Sequence, residues 1–455
     1  MGQTIAVTGA TGFIGRALIG KLSARGYSVL ALTRDTSADG FSAGVEVRQF
    51  DPGQNAPNPA AFAGADAVIH LAGESVDGRW TAQKKQRIYD SRICGTRAVV
   101  ASLAVCPKKP KVLVCASAVG FYGSRGDEIL TESSHGGGDF LARVVADWER
   151  ECRTAREFDI RTVNLRTGIV LGRGGALAKM SAPFRFGLGG PFGSGKQFVP
   201  WIHLDDVVAL YIFAIEHPEI DGPVNAVAPD YATSARFALA LGGALARPAY
   251  IPAPGFALRT ALGEFAETIL ASQLVLPAAA EDAGFRWMHP NLEAAMIEAV
   301  SPDASRTSLV RHFEAAQLVP ASLDSVFAFF SEAQNLESIT PPRLGFAFRN
   351  LPSAMKRGAT TAYTLRIRGV PVAWKTLISQ WQPPYRFVDV QLRGPYALWR
   401  HAHTFTPEAG GVLVKDSVDY LLPFAPLSNV AAPLVDADVR AIFDFRRSAI
   451  AERFA

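Results

Sequence analysis

Thr4-Ile5-Ala6-Val7-Thr8-Gly9-Ala10-Thr11-Gly12-Phe13-Ile14-Gly15-Arg16-Ala17-Leu18-Ile19 decides the reading of the first two thirds of this chain. A short β-branched run leads into three glycines spaced GxxGxxG, and a helical apolar pattern follows. That order aims backbone N–H groups and a helix dipole at a pyrophosphate, and each glycine removes a Cβ that would block the approach. The motif alone is only moderately specific. Its place at the first strand of an alternating series makes it the phosphate loop of a dinucleotide site, with Gly9, Thr11, Gly12, Phe13, Ile14 and Gly15 as expected contacts.

Outward from the loop, short β-branched runs alternate with longer helical segments as far as about residue 230. Candidate strands are Thr4–Val7, Ser28–Thr33, Ala67–His70, Lys111–Cys115, Arg161–Leu165 and Pro223–Val227. Such alternation predicts an α/β fold, a Rossmann-type doubly wound parallel sheet. The second strand ends Leu32-Thr33-Arg34, where an enzyme using NAD usually carries an acid for the ribose 2′-hydroxyl. Arg34 instead offers positive charge to a 2′-phosphate, so NADP is the expected cofactor. The basic cluster Lys84, Lys85, Arg87 and Arg92 reads as a wet helix face from which one or two side chains reach the phosphates.

Several further motifs stand in order: His70-Leu71-Ala72-Gly73-Glu74, Ser91-Arg92-Ile93-Cys94-Gly95-Thr96, Leu165-Arg166-Thr167-Gly168-Ile169-Val170-Leu171-Gly172, Gly189-Gly190-Pro191-Phe192-Gly193-Ser194-Gly195 and Pro200-Trp201-Ile202-His203-Leu204-Asp205-Asp206. With the phosphate loop, they make roughly residues 1 to 300 resemble the extended short-chain dehydrogenase/reductase superfamily, and within it the NAD-dependent epimerase/dehydratase-like group of SDR39U type. The resemblance implies that Leu71 and Ala72, continuing into Gly73 and Glu74, pass under the adenine-ribose side. It implies that the Thr167–Leu171 loop, with Gly168 and Leu171, closes over the nicotinamide. Trp201-Ile202-His203 would support the substrate-side loop rather than perform chemistry.

The superfamily's proton-transfer pair, Tyr-x-x-x-Lys on one helix face, occurs nowhere in the chain. Anchoring the expected helix on Glu149 puts Leu141 and Val145 where the tyrosine and lysine belong. Arg92, standing where an asparagine is expected, is a candidate to replace some of the lost charge near the nicotinamide ribose. Ser117 and Tyr122, at the end of the fifth strand, are the remaining candidates for catalysis. Asp127, Glu128 and Glu132 read as solvated loop acids.

An Ala- and Pro-rich appendage to the first domain is expected at about 245–300, with helical periodicity in Leu258–Leu270 and Asn291–Val300. A linker at 301–307 follows, then a second domain at 308–455. In that domain long alternating segments argue for an antiparallel sheet, Pro407–Gly411 for a hairpin turn, and Val435–Phe454 for a long amphipathic helix. Val319–Phe330, Trp399–Phe405 and Asp416–Tyr420 resemble the START-like, polyketide-cyclase superfamily, an α+β helix-grip fold. That resemblance implies a cavity for a hydrophobic ligand, with Trp374, Trp381, Trp399, Phe405 and Tyr420 available to line it. His401 and His403 share one strand face, but the sequence offers no evident third ligand, so no metal is expected.

Apolar residues make up 49% of the 455 and charged residues 19%, which is the balance of a globular protein. The net charge of +4 and the lack of long basic runs argue against nucleic acid as a partner. Cys94, Cys106, Cys115 and Cys152 lack metal-ligand spacing and fit reduced thiols. The N-terminus enters a strand directly and no apolar stretch is long enough to cross a bilayer, so a cytoplasmic location is expected. Oligomeric state is not legible. Two functions are compatible with these features: an NADP-dependent epimerase- or oxidoreductase-like enzyme acting on a small molecule, or a non-catalytic NADP(H)-binding module that regulates or stabilises a lipid-like ligand carrier.

Overall fold

The computed structural model describes residues 3–37, 40–42, 44–53, 57–245, 247–300, 310–422 and 427–454. The expected linker at 301–307 lies outside them. The chain divides into two compact units, Met1–Arg306 and Thr307–Ala455.

In the first unit, β1 (Thr4–Thr8), β2 (Ser28–Thr33), β3 (Glu46–Gln49), β4 (Ala67–His70), β5 (Val112–Ala118), β6 (Arg161–Thr167) and β7 (Gly222–Ala226) form one sheet. Its order is β7-β6-β5-β4-β1-β2-β3, and every pairing is parallel. Strands buried on both faces need continuous apolar runs, as in Ile5-Ala6-Val7 and Val112-Leu113-Val114, all of them buried. Strand β3 escaped the sequence reading because it is a half-exposed edge strand, Glu46-Val47-Arg48-Gln49, without an apolar signature. One face packs on helices α1 (Phe13–Ala24) and Leu204–Glu216, through Leu18, Leu22, Val207 and Tyr211. The other packs on α2 (Ala82–Ala104), through Val99 and Leu103. The chain reverses between β1 and β4, which opens a crevice at the carboxyl edge of the sheet, where ligands bind in open α/β folds.

Beyond this sheet, the expected helical stretch Leu258–Leu270 is two helices, Gly255–Leu262 and Phe265–Leu270. The break is at Gly263, whose φ of 61° no helix accommodates. Leu292–Val300 forms as a helix with Leu292, Ala295, Met296 and Ala299 buried.

The second unit is a seven-stranded antiparallel sheet. Its strands are β8 (Arg311–Val319), β9 (Ala347–Asn350), β10 (Thr360–Ile367), β11 (Val370–Gln382), β12 (Arg386–Arg393), β13 (Leu398–Glu408) and β14 (Gly411–Leu421), in the order β8-β14-β13-β12-β11-β10-β9. Strands β13 and β14 meet across Ala409-Gly410, with Gly410 at φ 93°. The C-terminal helix, Ala432–Arg453, buries Val439, Phe443, Arg446 and Ile450, a 4-3-4 spacing that places them on one face. Among the described residues, no helix is long and apolar enough to cross a membrane.

Candidate functional site

The phosphate loop is built as its sequence demands. Gly9 sits at φ 65°, and a Cβ there would lie 2.8 Å from the Ala72 nitrogen and the Leu71 carbonyl carbon. A Cβ on Gly15 would run into the Gly9 carbonyl oxygen. These contacts press the loop against both Leu71-Ala72 and the first turn of α1. Gly12, at the N-cap of α1, brings no side chain to that helix end, so no side-chain acceptor takes up its first-turn N–H groups. The cradle fits a pyrophosphate, and the residues that shape it, Gly9, Thr11, Gly12, Phe13, Ile14 and Gly15, are contiguous. The Phe13 ring is wedged against Gly172, Gly174 and Gly175, where any Cβ would meet it.

Leu71 and Ala72 are held from below. The Thr8 hydroxyl accepts from the Leu71 and Ala72 N–H groups at 3.2 and 3.4 Å. It also lies 2.6 Å from His70 Nδ1, whose Nε2 is 3.2 Å from the Thr96 hydroxyl. Burial pushes His70 down to about 4, so the ring is neutral. As the Thr8 oxygen already accepts two N–H groups, its proton goes to Nδ1, and Nε2–H donates to Thr96.

At the positions expected to face the adenosine side, Arg34 is exposed at the end of β2. The Thr33 hydroxyl turns to the Asp35 carbonyl at 3.2 Å, and Asp35 accepts from the Ser37 N–H and hydroxyl at 2.9 and 2.7 Å. The one acid next to Arg34 is therefore spent on its own turn. Glu74 accepts from Lys84 at 2.7 Å and faces Arg87 at 3.6 Å, and the lysine chiefly holds its carboxyl below the usual range. Arg92 donates to the carbonyls of Glu74 and Ile88 at 2.9 and 3.3 Å and lies over the Trp148 ring. Its guanidinium approaches Gly73, and burial lowers it to about 10. Gly168 passes so close to Pro200 that a Cβ would sit 2.8 Å from the Pro200 carbonyl oxygen, and Leu171 is buried.

Ser117 and Tyr122 join through a buried pair that the sequence reading did not single out. Register places Ser117 opposite Arg166, and Arg166 grips Glu149 with two bonds of 2.8 Å. The Ser117 hydroxyl donates to Glu149 Oε1 at 2.7 Å. Arg166 also donates to the Tyr122 hydroxyl at 3.0 Å and stacks over the Phe121 ring at 3.6 Å. Tyr122 is fully buried, and burial raises its phenol to about 12. Its hydroxyl donates to Asn225 Oδ1, 2.6 Å away. Ser117 thus sits before a carboxylate that can take its proton, whereas Tyr122 turns its proton into the protein. An arginine inside a central strand was the available signal, because a charge there needs a partner. Leu141 and Val145 occupy the helix Phe140–Arg153, which also carries Glu149.

Glu132 departs from the expected solvated acid. It is partly buried and accepts from the Asn225 and Ala279 N–H groups at 2.9 and 3.1 Å, tying β7 to the following segment. His203 caps Leu204–Glu216 by accepting from the Asp205 N–H, and Asp206 accepts from Met288 and His289.

In the second unit a cavity of about 400 Å³ lies among Tyr363, Trp374, Phe387, Tyr396, Trp399 and Phe443. Trp374 and Trp399 line it as expected. Trp381, Phe405 and Tyr420 instead pack in the clusters around Phe327 and Tyr396.

The sequence model of the NAD dependent epimerase/dehydratase family matches residues 5–227, and that of a domain of unknown function, DUF1731, matches 253–299. The chain is 38% identical over 306 residues to an Arabidopsis thaliana protein named "Epimerase family protein SDR39U1 homolog, chloroplastic", covering 65% of this chain and 86% of that one. It is 37% identical over 300 residues to the Bacillus subtilis epimerase family protein YfhF, covering 66% and 98%. Among solved structures, it is similar to the human epimerase family protein SDR39U1 (isoform 2), crystallised with NADPH. The identity is 34% and the TM-score 0.60, over 66% of this chain and all of that one. Phosphate loop, sheet order and sequence relatives agree, and the chain belongs to the NAD dependent epimerase/dehydratase family, among the epimerase family proteins of SDR39U1 type.

Proposed function

We propose that this chain is an NADP(H)-binding epimerase- or oxidoreductase-like protein whose second unit holds a hydrophobic ligand. The Gly9–Gly15 cradle carries the first part, because a Cβ at Gly9 or Gly15 would strike backbone and the helix end above it has no side-chain cap. The choice of NADP rests on exposed Arg34 and on the Asp35 carboxylate being taken up by Ser37 of its own turn. NADPH in the human relative supports it. Thr33, Leu71, Ala72, Gly73, Glu74, Arg87, Arg92, Gly168 and Leu171 complete the proposed cofactor contacts, and the bound cofactor would supply or accept hydride.

Ser117 is the proposed proton-transfer residue. Its oxygen can take a proton from a substrate hydroxyl while its own passes to Glu149, 2.7 Å away. Tyr122 then acts as a positioning residue, holding Arg166 and through it Glu149. The second unit's antiparallel sheet and long terminal helix fit a START-like helix-grip domain, and its cavity falls within the usual range for small-molecule sites. A cytoplasmic location belongs to the same reading.

A non-catalytic NADP(H)-binding module is the second reading. It is favoured by the apolar pair Leu141 and Val145 standing where the tyrosine and lysine belong. Thermal shift with NADP and NAD tests the cofactor, and Arg34→Ser is expected to weaken NADPH about tenfold or more, the worth of a charge-assisted bond, while sparing NADH. Equal stabilisation by both nucleotides would remove NADP from the proposal. Carbonyl-dependent NADPH oxidation that is lost in Ser117→Ala supports catalysis. Tight NADPH binding with no oxidation of a broad carbonyl panel favours the module.

A further inference from the structure

We propose that the second unit carries a divalent transition-metal site, with Asp389, His401 and His403 as ligands facing the cavity. His401 and His403 alternate on β13 and so share one face, and the register sets Asp389 of β12 opposite His401. Asp389 Oδ2 lies 3.5 Å from His401 Nδ1 and 3.3 Å from His403 Nε2. Donors bound about 2.1 Å from one metal at tetrahedral angles stand roughly 3.4 Å apart, which is this spacing. The third ligand missing from the sequence reading is therefore supplied by the neighbouring strand.

The outer groups fit the same role. Register puts Asp416 of β14 opposite His403, and its Oδ1 lies 2.8 Å from both His401 Nε2 and His403 Nδ1. A carboxylate only accepts, so the His401 nitrogen bonded to it carries the proton and Nδ1 turns a lone pair toward Asp389. A lone pair facing a carboxylate is repulsive until a cation lies between them. A carboxylate behind the imidazole is also how metal-binding histidines are commonly oriented. Any proton on His403 Nε2 leaves to solvent as the metal takes its position.

Two imidazoles and one carboxylate select zinc, iron, cobalt or a similar ion over magnesium or calcium. The cavity leaves room for a further ligand. Arg446, 7% exposed and lining that cavity, has Nε and one terminal nitrogen without a hydrogen bond. An anionic group on the open metal position would satisfy them. The site uses side chains of the second unit alone and does not depend on cofactor binding in the first.

The test is titration of chelator-stripped full-length protein with Co²⁺, followed by its visible d–d absorption, and with Cu²⁺, followed by nitrogen coupling in the EPR spectrum. One saturable Co²⁺ and coupling to two imidazole nitrogens are expected. Asp389→Asn and His401→Gln should each weaken binding on the order of 100-fold. His289→Gln, in a histidine-acid cluster of the first unit with His203 and Asp205, should leave it unchanged. The absence of a saturable Co²⁺ spectrum overturns the site, as does a spectrum that survives both second-unit variants or vanishes with His289→Gln. Should His401→Gln or Asp389→Asn fail to fold, the wild-type EPR spectrum together with His289→Gln still decides the matter.

Discussion

The two units each bury a cluster of charges, and the clusters differ in how completely they are satisfied. In the first unit Glu149 and Arg166 form two parallel bonds, and Ser117 and Tyr122 take up further valences. In the second, Asp389, His401, His403 and Asp416 crowd together while two Arg446 nitrogens lack hydrogen bonds. A saturated cluster holds strands and side chains in place, whereas an unsaturated one beside a cavity is arranged for something that enters.

The largest effect is expected from breaking the saturated cluster. Glu149→Leu strands the Arg166 charge in the core and should cost about 3–5 kcal/mol in chemical denaturation. The double variant Glu149→Leu/Arg166→Met should cost less than the single one, because both desolvated charges leave together. A single variant that loses less than the double would show that the Glu149–Arg166 pair is not what stabilises this region.

The next effect depends on pH. His70 is lowered from an ordinary 6.5 to about 4, so the unfolded chain binds its proton first as pH falls. Its contribution is full above pH 6.5 and erodes as pH drops from there toward 4, the loss reaching about 3 kcal/mol once both states are protonated. Denaturation curves for the first unit should show that loss, and His70→Gln should flatten it. An unchanged pH profile in His70→Gln would place the acid sensitivity elsewhere. The neutral ring is also what orients the Thr8 hydroxyl beneath Leu71 and Ala72. Acid should therefore weaken NADPH binding before the unit unfolds.

How much of this was legible in the sequence depended on whether a feature is local. The strand-loop-helix start is a backbone requirement written in three glycines, and the two-unit division is written in a change of period from helical segments to alternating ones. Arg166 lies inside the Leu165–Gly172 motif and Glu149 on the helix expected to hold the proton-transfer pair, yet their pairing is a meeting of a strand and a helix that only packing creates. Asp389 escaped for the same reason. It is twelve residues from His401, and only the β12–β13 register makes them neighbours. Glu132 looked like a loop acid because nothing local reveals that the N–H groups of Asn225 and Ala279 converge on it. Gly263 and Arg166 are local signals, a glycine inside an apparent helical period and a charge inside a central strand.

The smallest effect should come from the unsaturated cluster, and it sharpens the comparison most. Arg446 is buried, lies 3.9 Å from Asp416 Oδ1, and leaves Nε and one terminal nitrogen without a hydrogen bond. Its desolvation is therefore poorly offset in the metal-free protein. Arg446→Met keeps most of the side-chain volume on the buried face of the terminal helix, beside Phe443, and removes the charge. The expected change in stability is within about 1 kcal/mol of wild type, with a gain as reasonable as a loss, since replacing a poorly compensated buried charge by an apolar side chain is often neutral or stabilising. A loss comparable to that of Glu149→Leu would mean that Arg446 already offsets Asp416 through space. The contrast between a holding cluster and a receiving one would then fail.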